Sequence, residues 1–308
     1  MSTALLFPGQ GSQFVGMGRE LAEAFPEVRH LYERADEALD VPLSTLCWQG
    51  PETELSATQN AQPAILLHSY AVWRVIGAYV PEVAVAAGHS LGEFTAHLVA
   101  GTFSFEDALR TVRRRGELMA AAGEERAGTM TAVLGLDEEA LASICAGVEE
   151  GTVVAANINA PGQIVISGDT VAVGIAANRA AQAGARRVVP LNVSGAFHSP
   201  LMQAAADGLG AALAAAELST PRIPVISNAT TEEVRDVVRA RATLIDQLTS
   251  PVRWAGVLDR MRGLAPDQWL ELGPGDVLSG LLRRSDRSLK ARCIGDPEGI
   301  DAFLSASV

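Results

Sequence analysis

The sequence predicts an α/β protein: a large domain built on a largely parallel sheet, interrupted by a small ferredoxin-like domain. Three observations carry that prediction. Short apolar runs at residues 4–7 and 83–87 each stop at a glycine-bearing turn and lead into helical sequence. The middle of the chain reads strand, helix, strand, strand, helix, strand over too few residues for more than a small insert. Finally, 308 residues at 48% hydrophobic and 19% charged are enough for one large or two modest cores, which excludes a disordered or fibrous chain.

Taken in order, Ala4-Leu5-Leu6-Phe7 is a strand halted by Pro8-Gly9. Residues 63–80 form the longest apolar-leaning stretch, but His68 and Arg74 make it a buried or amphipathic helix rather than a membrane span. Residues 83–87 are a second strand, ended by Gly88 and followed by a helix over 93–100. Short apolar strands separated by helices pack as a parallel sheet covered on both faces, with ligand crevices at the carboxyl ends of the strands. The insert then runs as strand 129–134, helix 138–147, strand 153–156, strand 163–167, helix 171–183 and strand 187–191. An Ala-rich helix beginning near Leu201 returns to the main body, where residues 223–226 and 268–270 supply further strands. The expected division is residues 1–126 and 195–308 for the large domain and 127–194 for the small one, with the substrate in the cleft between them.

A formal charge of −12 and a pI of about 4.9 argue against a broad cationic surface for nucleic acid. Cys47, Cys145 and Cys293 stand far apart with no CxxC pair, so neither a disulfide framework nor a thiolate metal site is expected. The N-terminus lacks a basic region and a long apolar stretch ahead of Pro8, so no secretory signal is read there. These features predict a cytoplasmic protein without membrane or nucleic-acid partners, and nothing in the composition asks for more than a monomer.

Gly88-His89-Ser90-Leu91-Gly92 is a G-x-S-x-G lying between an apolar strand and a helix. A serine on such a turn has its oxygen raised clear of the backbone, beside the unpaired N–H groups of a helix N-terminus. The plainer alternative is a serine that caps the helix. A nucleophilic serine needs a base, and five histidines are available. His30 sits in a polar helical stretch, His68 and His97 in apolar helical runs where packing is the commoner role, and His89 abuts the serine with its side chain pointing away. His198 remains, in the loop Ser194-Gly195-Ala196-Phe197-His198-Ser199-Pro200 just past a strand, although a turn histidine without chemistry fits the same local sequence.

A tetrahedral oxyanion needs two donors. The backbone N–H of Leu91 is one, and the glycine loop Phe7-Pro8-Gly9-Gln10-Gly11-Ser12-Gln13 can bring the amide of Gln10 close as the second. A dinucleotide-binding turn is excluded there, because the third glycine position of G-x-G-x-x-G holds Phe14. Arg110, Arg113, Arg114 and Arg115 share a helix whose apolar stripe is Leu109, Val112, Gly116 and Met119. Arg113 and Arg115 flank that stripe on opposite sides. Either could turn inward to hold a carboxylate, and a solvated face is the default for the cluster.

Together these segments resemble the malonyl-CoA:acyl-carrier-protein transacylase family, which includes acyltransferase domains of polyketide synthases. The resemblance rests on the residue 7–13 loop, Thr58-Gln59-Asn60-Ala61-Gln62-Pro63-Ala64, Gly88-His89-Ser90-Leu91-Gly92-Glu93-Phe94, and Arg115-Gly116 with Met119. It continues in Asn157-Ile158-Asn159-Ala160-Pro161-Gly162-Gln163, Gly195-Ala196-Phe197-His198, Gln247-Leu248 ahead of Pro251-Val252, and Glu271-Leu272-Gly273-Pro274-Gly275. The resemblance implies an α/β-hydrolase-like large domain. It further implies Ser90 as the acylated nucleophile, His198 as its base, Gln10 and Leu91 as oxyanion donors, and Arg115 rather than Arg113 as partner of the malonyl carboxylate. Gln62 would line the acyl pocket, and the main-chain carbonyl of Gln247 would orient His198 in place of an aspartate.

The same resemblance implies malonyl-CoA and a holo acyl carrier protein as partners, serving fatty-acid or polyketide synthesis, with CoA thioester as substrate and no cofactor or metal. Phe197 matches the loop of malonyl-selective members, where methylmalonyl-selective ones more often carry Tyr-Ala-Ser-His. One methyl group gives only about 1–3 kcal/mol of discrimination. The rival expectation is a serine acyl hydrolase on carrier-protein or CoA thioesters. An α/β-hydrolase order would place the histidine near the chain end, whereas about 110 residues follow His198. Local basic patches for a phosphate-bearing donor are expected at Arg283, Arg284, Arg287, Lys290 and Arg292, or on the helix of Arg110 to Arg115.

Overall fold

Leu5 and Phe7 belong to one buried apolar cluster and Ala4 and Leu6 to another, and all four are fully buried. Because successive side chains of a strand point to opposite faces, this strand lies in a sheet covered on both sides. The computed structural model describes residues 1–306. Its strands are β1 (Thr3–Phe7), β2 (Val83–Gly88), β3 (Gly128–Leu134), β4 (Val153–Ala160), β5 (Gln163–Asp169), β6 (Arg187–Pro190), β7 (Val225–Ile226), β8 (Glu233–Val234), β9 (Gln268–Leu272) and β10 (Ala291–Ile294). The first seven helices are α1 (Arg19–Ala24), α2 (Pro26–Leu39), α3 (Leu43–Gln49), α4 (Glu52–Leu55), α5 (Thr58–Ile76), α6 (Leu91–Val99) and α7 (Phe105–Glu125). Those that follow are α8 (Glu138–Ala146), α9 (Thr170–Gln182), α10 (Gln203–Ala215), α11 (Val237–Asp246), α12 (Trp254–Gly263), α13 (Val277–Ser285) and α14 (Pro297–Ala306).

The large sheet has the order β10-β9-β1-β2-β7-β8 and is parallel except for the β7–β8 pair. The small sheet has the order β4-β5-β3-β6 and is antiparallel throughout, which is the ferredoxin-like arrangement the strand and helix order predicts. Helices α8 and α9 cover one of its faces through Leu141, Cys145, Ala172, Val173, Ala176 and Ala180. Met130, Ala156 and Val165 instead join the main cluster of the large sheet, so the two layers share a core.

Several elements differ from the sequence reading: the strand expected over 223–226 shortens to Val225–Ile226, and that over 268–270 extends to Leu272. Strand β4 runs on to Ala160, through two register shifts, and is continued by a bridge from Asn157 to Val252 that pins the small sheet to the large body. Its polar residues Asn157 and Asn159 hide this extension from a search for apolar runs. Strand β10 is a half-buried edge strand inside an arginine-rich stretch, where charge masks the strand pattern. Helix α5 begins at Thr58, ahead of Pro63. No helix among the described residues is long and apolar enough to cross a membrane.

The pairing of β1 with β2 aligns Phe7 with Gly88, and the His89 amide donates to the Phe7 carbonyl at 3.0 Å. The two glycine-bearing turns therefore lie side by side at the carboxyl end of the sheet, facing the small domain.

Candidate active site

Ser90 stands between β2 and α6 with φ 52° and ψ −104°, a conformation that L-residues rarely adopt and that surrounding structure must hold. Its flanking glycines explain how. A Cβ on Gly88 would lie 1.9 Å from the Gly92 carbonyl carbon, and one on Gly92 would lie 2.0 Å from the Phe7 carbonyl oxygen. Only glycine allows the helix to start this close to the strand. Asn228, just beyond β7, clamps the turn: its Oδ1 accepts from the Ser90 amide at 2.7 Å and its Nδ2 donates to the Gly88 carbonyl at 2.8 Å.

His198 also has a positive φ, 56°, and its Nε2 lies 2.8 Å from Ser90 Oγ. Its Nδ1 is 2.9 Å from the main-chain carbonyl of Gln247. A carbonyl can only accept, so Nδ1 carries the proton and Nε2 presents its lone pair to the serine hydroxyl. Burial, reinforced by the Arg115 charge, lowers His198 to about 3, so the imidazole is neutral at neutral pH.

Arg115 is fully buried, whereas Arg113 bonds Glu117 and Asn60 near the surface and Arg114 pairs with Glu117. What separates the two flanking arginines is Gly116, where an added Cβ would lie 2.5 Å from Gln59 Cα. This close approach of α7 to α5 sets Arg115 against Gln62, whose Oε1 accepts from Nη1 at 2.7 Å. The other arm, Nη2, donates to Gln247 Oε1 at 2.8 Å and to Ser90 Oγ at 3.0 Å, and the guanidinium lies over the Phe94 ring. Burial lowers Arg115 to about 10, which leaves it cationic at neutral pH.

A cavity of about 370 Å³ opens in front of Ser90, walled by Gln10, His89, Met119, Phe197 and His198 from the large body and by Met130, Asn157, Leu191 and Val193 from the small domain and the segment after it. Gln62 lies behind this wall rather than on it, bonded through Nε2 to the sulfur of Met119. Gln10 lines the mouth, its side chain donating to Thr58 Oγ1 at 3.2 Å. Leu91 is the first residue of α6, where the backbone N–H has no intrahelical acceptor. Chemically the arrangement can deprotonate a serine, receive an oxyanion and hold a carboxylate within reach of the same oxygen.

The other histidines divide as expected only in part. His68 bonds the Gly295 carbonyl and His97 bonds Thr102, both buried, while His30 is exposed beside Glu33. His89 is no bystander: it lines the cavity, bonds Asn159 at 2.8 Å and packs on Trp254. Sequence reasoning gave no role to Glu93 or Asn228. Glu93 is fully buried on α6, accepting from Gln247 Nε2 at 2.6 Å and from the Asn228 amide at 3.0 Å. Its signal was visible as an acidic residue in an otherwise apolar helical turn.

An α/β body whose strand-to-helix serine turn meets a histidine and a buried arginine belongs to the class of acyl-transferring enzymes. Residues 4–295 match the model of the acyl transferase domain. The chain is 45% identical to the malonyl CoA-acyl carrier protein transacylase of Bacillus subtilis, over 98% of this chain and 96% of that one, and 40% identical to that of Escherichia coli K12, over 98% of each. Among solved structures it superposes with TM-score 0.96 on the Coxiella burnetii malonyl CoA-acyl carrier protein transacylase, at 37% identity, covering 99% of this chain and 97% of that one. An equal TM-score, at 39% identity over 99% and 100% of the two chains, relates it to a malonyl-transacylase in complex with its type II polyketide acyl-carrier protein. The chain thus belongs to the malonyl-CoA:acyl-carrier-protein transacylase family of acyl transferases.

Proposed function

We propose that this enzyme moves a malonyl group from malonyl-CoA to the phosphopantetheine thiol of an acyl carrier protein through a Ser90 acyl-enzyme. The observation that carries this reading is the Arg115 guanidinium on Ser90 Oγ, 3.0 Å away. A neutral acyl donor has no use for a buried cation there, whereas a malonyl carboxylate finds in it a planar, bidentate partner.

In the first half-reaction the Ser90 proton passes to His198 Nε2 as Oγ attacks the thioester carbonyl. The oxyanion lies against the amides of Gln10 and Leu91. The carbon–sulfur bond then breaks, and the imidazolium returns its proton to the departing CoA sulfur. In the second half the carrier thiol gives its proton to His198 and attacks the ester, and Ser90 leaves with that proton restored. Every proton is accounted for by these side chains, so the transfer calls for no cofactor. Phe197 crowds the pocket beside His198, which favours malonyl over branched donors.

The same reading treats residues 1–126 and 195–308 as the catalytic body and 127–194 as a subdomain closing the cavity. It also takes the protein to be a monomer and to be cytoplasmic, the latter supported by three unpaired cysteines, two of them buried. The test is transfer of labelled malonyl from CoA to a holo carrier protein, with the apo carrier and water as competing acceptors. Label is expected on the holo carrier alone; release of free malonate at the same rate without a carrier would replace the transferase by a hydrolase.

A further inference from the structure

Ser90-Leu91-Gly92-Glu93 is an S-x-x-E sequence at a helix start, the pattern in which the serine oxygen caps the N3 amide and the glutamate reaches back to the N-cap amide. Neither bond forms. The Ser90 side chain makes no capping bond, and its amide is taken by Asn228 Oδ1. Glu93 turns instead toward Gln247 and Asn228, burying its carboxylate completely. A local rule set aside at this cost marks a residue held for another purpose.

Resting on the Ser90–His198 reading, we infer that Glu93 is a positioning residue that sets donor selectivity through Gln247. The amide of Gln247 has two possible orientations. With Oε1 toward Arg115 it accepts from the guanidinium; turned over, it would point an NH₂ group at that cation. Glu93 Oε2 decides between them by accepting from Gln247 Nε2 at 2.6 Å, while Nε2 also reaches the Ser90 carbonyl at 3.0 Å. The same residue's main-chain carbonyl holds His198. The same carboxylate oxygen accepts from the main-chain N–H of Asn228, the residue whose side chain clamps the serine turn. Glu93 touches no reacting atom, yet it stands behind the arginine that would hold a malonyl carboxylate, the histidine and the nucleophile.

Two kinds of variant separate this role from simple stability. Glu93→Asp keeps the charge but withdraws the acceptor by one methylene; Glu93→Gln loses the charge but can place its own oxygen where Oε2 accepts both bonds. Single-turnover labelling of Ser90 by malonyl-CoA and by acetyl-CoA is compared for each variant, together with its folded fraction. Misplacement of a supporting group by about 1 Å costs up to about 100-fold in rate. The Asp variant is expected to load malonyl about 100-fold more slowly and acetyl about 10-fold more slowly, so the malonyl preference falls about 10-fold. Glu93→Gln is expected to recover most of that preference. A malonyl-to-acetyl ratio equal to wild type in the folded Asp variant overturns the inference, as does a Gln variant no better than Asp. Wild-type enzyme that forms no Ser90 adduct overturns the underlying reading instead, and this one with it.

Discussion

Arg115 and Ser90 are hydrogen-bonded in the free enzyme, Nη2 to Oγ at 3.0 Å. The serine oxygen is therefore shared between a donor guanidinium and the accepting Nε2 of His198, 2.8 Å away. On the proposed reading an arriving malonyl carboxylate would compete for that guanidinium, freeing the serine oxygen and offsetting part of the charge that lowers His198.

Replacing Arg115 is expected to remove preference rather than chemistry. Losing two charge-assisted bonds to the donor should lower kcat/KM for malonyl-CoA by about 100-fold or more in Arg115→Ala, with a much smaller change for acetyl-CoA. Arg115→Lys should recover little, since one ammonium cannot span Gln62, Gln247 and a carboxylate together. Steady-state kinetics with both donors check this; an unchanged ratio in Arg115→Ala would mean that the carboxylate is held elsewhere.

The acid limb of acylation reports the state of His198. Burial and the Arg115 charge hold it at about 3, and a base works only when unprotonated. Ser90 labelling by malonyl-CoA should therefore stay flat from neutrality down to about pH 5, where an ordinary histidine would already have lost most of its activity. In Arg115→Ala one of the two depressing influences is gone, and the limb should move to higher pH. A wild-type limb near pH 6.5 would contradict the neutral, buried imidazole.

Gly92→Ala should fail by geometry alone. Its Cβ would sit 2.0 Å from the Phe7 carbonyl oxygen, a backbone atom with nowhere to go. The expected cost is about 3 kcal/mol or more, at the upper end for overpacking, read as a lower urea midpoint. An unchanged midpoint would show that β1 and α6 can separate without loss.

Stability should fall as pH drops below about 6.5. His97 and His198 are lowered to about 3 and His68 to about 4, chiefly by burial, so the unfolded chain binds protons that the folded one refuses. Each contributes about 1.4 kcal/mol of lost stability per pH unit. Glu93 and Glu271, raised to about 7 by burial, act with the opposite sign: folded protein keeps their protons between about 4.5 and 7, offsetting part of the loss. Melting temperature against pH tests this, and His97→Gln should flatten the slope between about pH 5 and 6.5.

Much of the site was legible because its requirements are local. A serine turn between strand and helix needs glycine on both sides, and both glycines stand in the sequence as the contacts at Gly88 and Gly92 demand. His198 could be reached by setting aside four other histidines. The strand and helix order of the small domain likewise sufficed for its antiparallel sheet. Helical spacing was silent between Arg113 and Arg115, because the deciding feature is the approach of α7 to α5 at Gly116, a contact between segments more than fifty residues apart. Glu93 stood out only as an acidic residue in an apolar helical turn, and what it does there depends on Asn228 and Gln247, which only the fold brings to it. Asn228 lay beyond a two-residue strand with no pattern to mark it.

The covalent serine ester is the claim on which the rest depends. Intact-protein mass spectrometry after brief incubation with malonyl-CoA, followed by peptide mapping, tests it directly. One malonyl group is expected on the peptide containing Ser90, absent in Ser90→Ala and discharged on adding a holo carrier protein. Transfer to the carrier that proceeds unchanged in Ser90→Ala, or an adduct mapped to any other residue, would contradict the account.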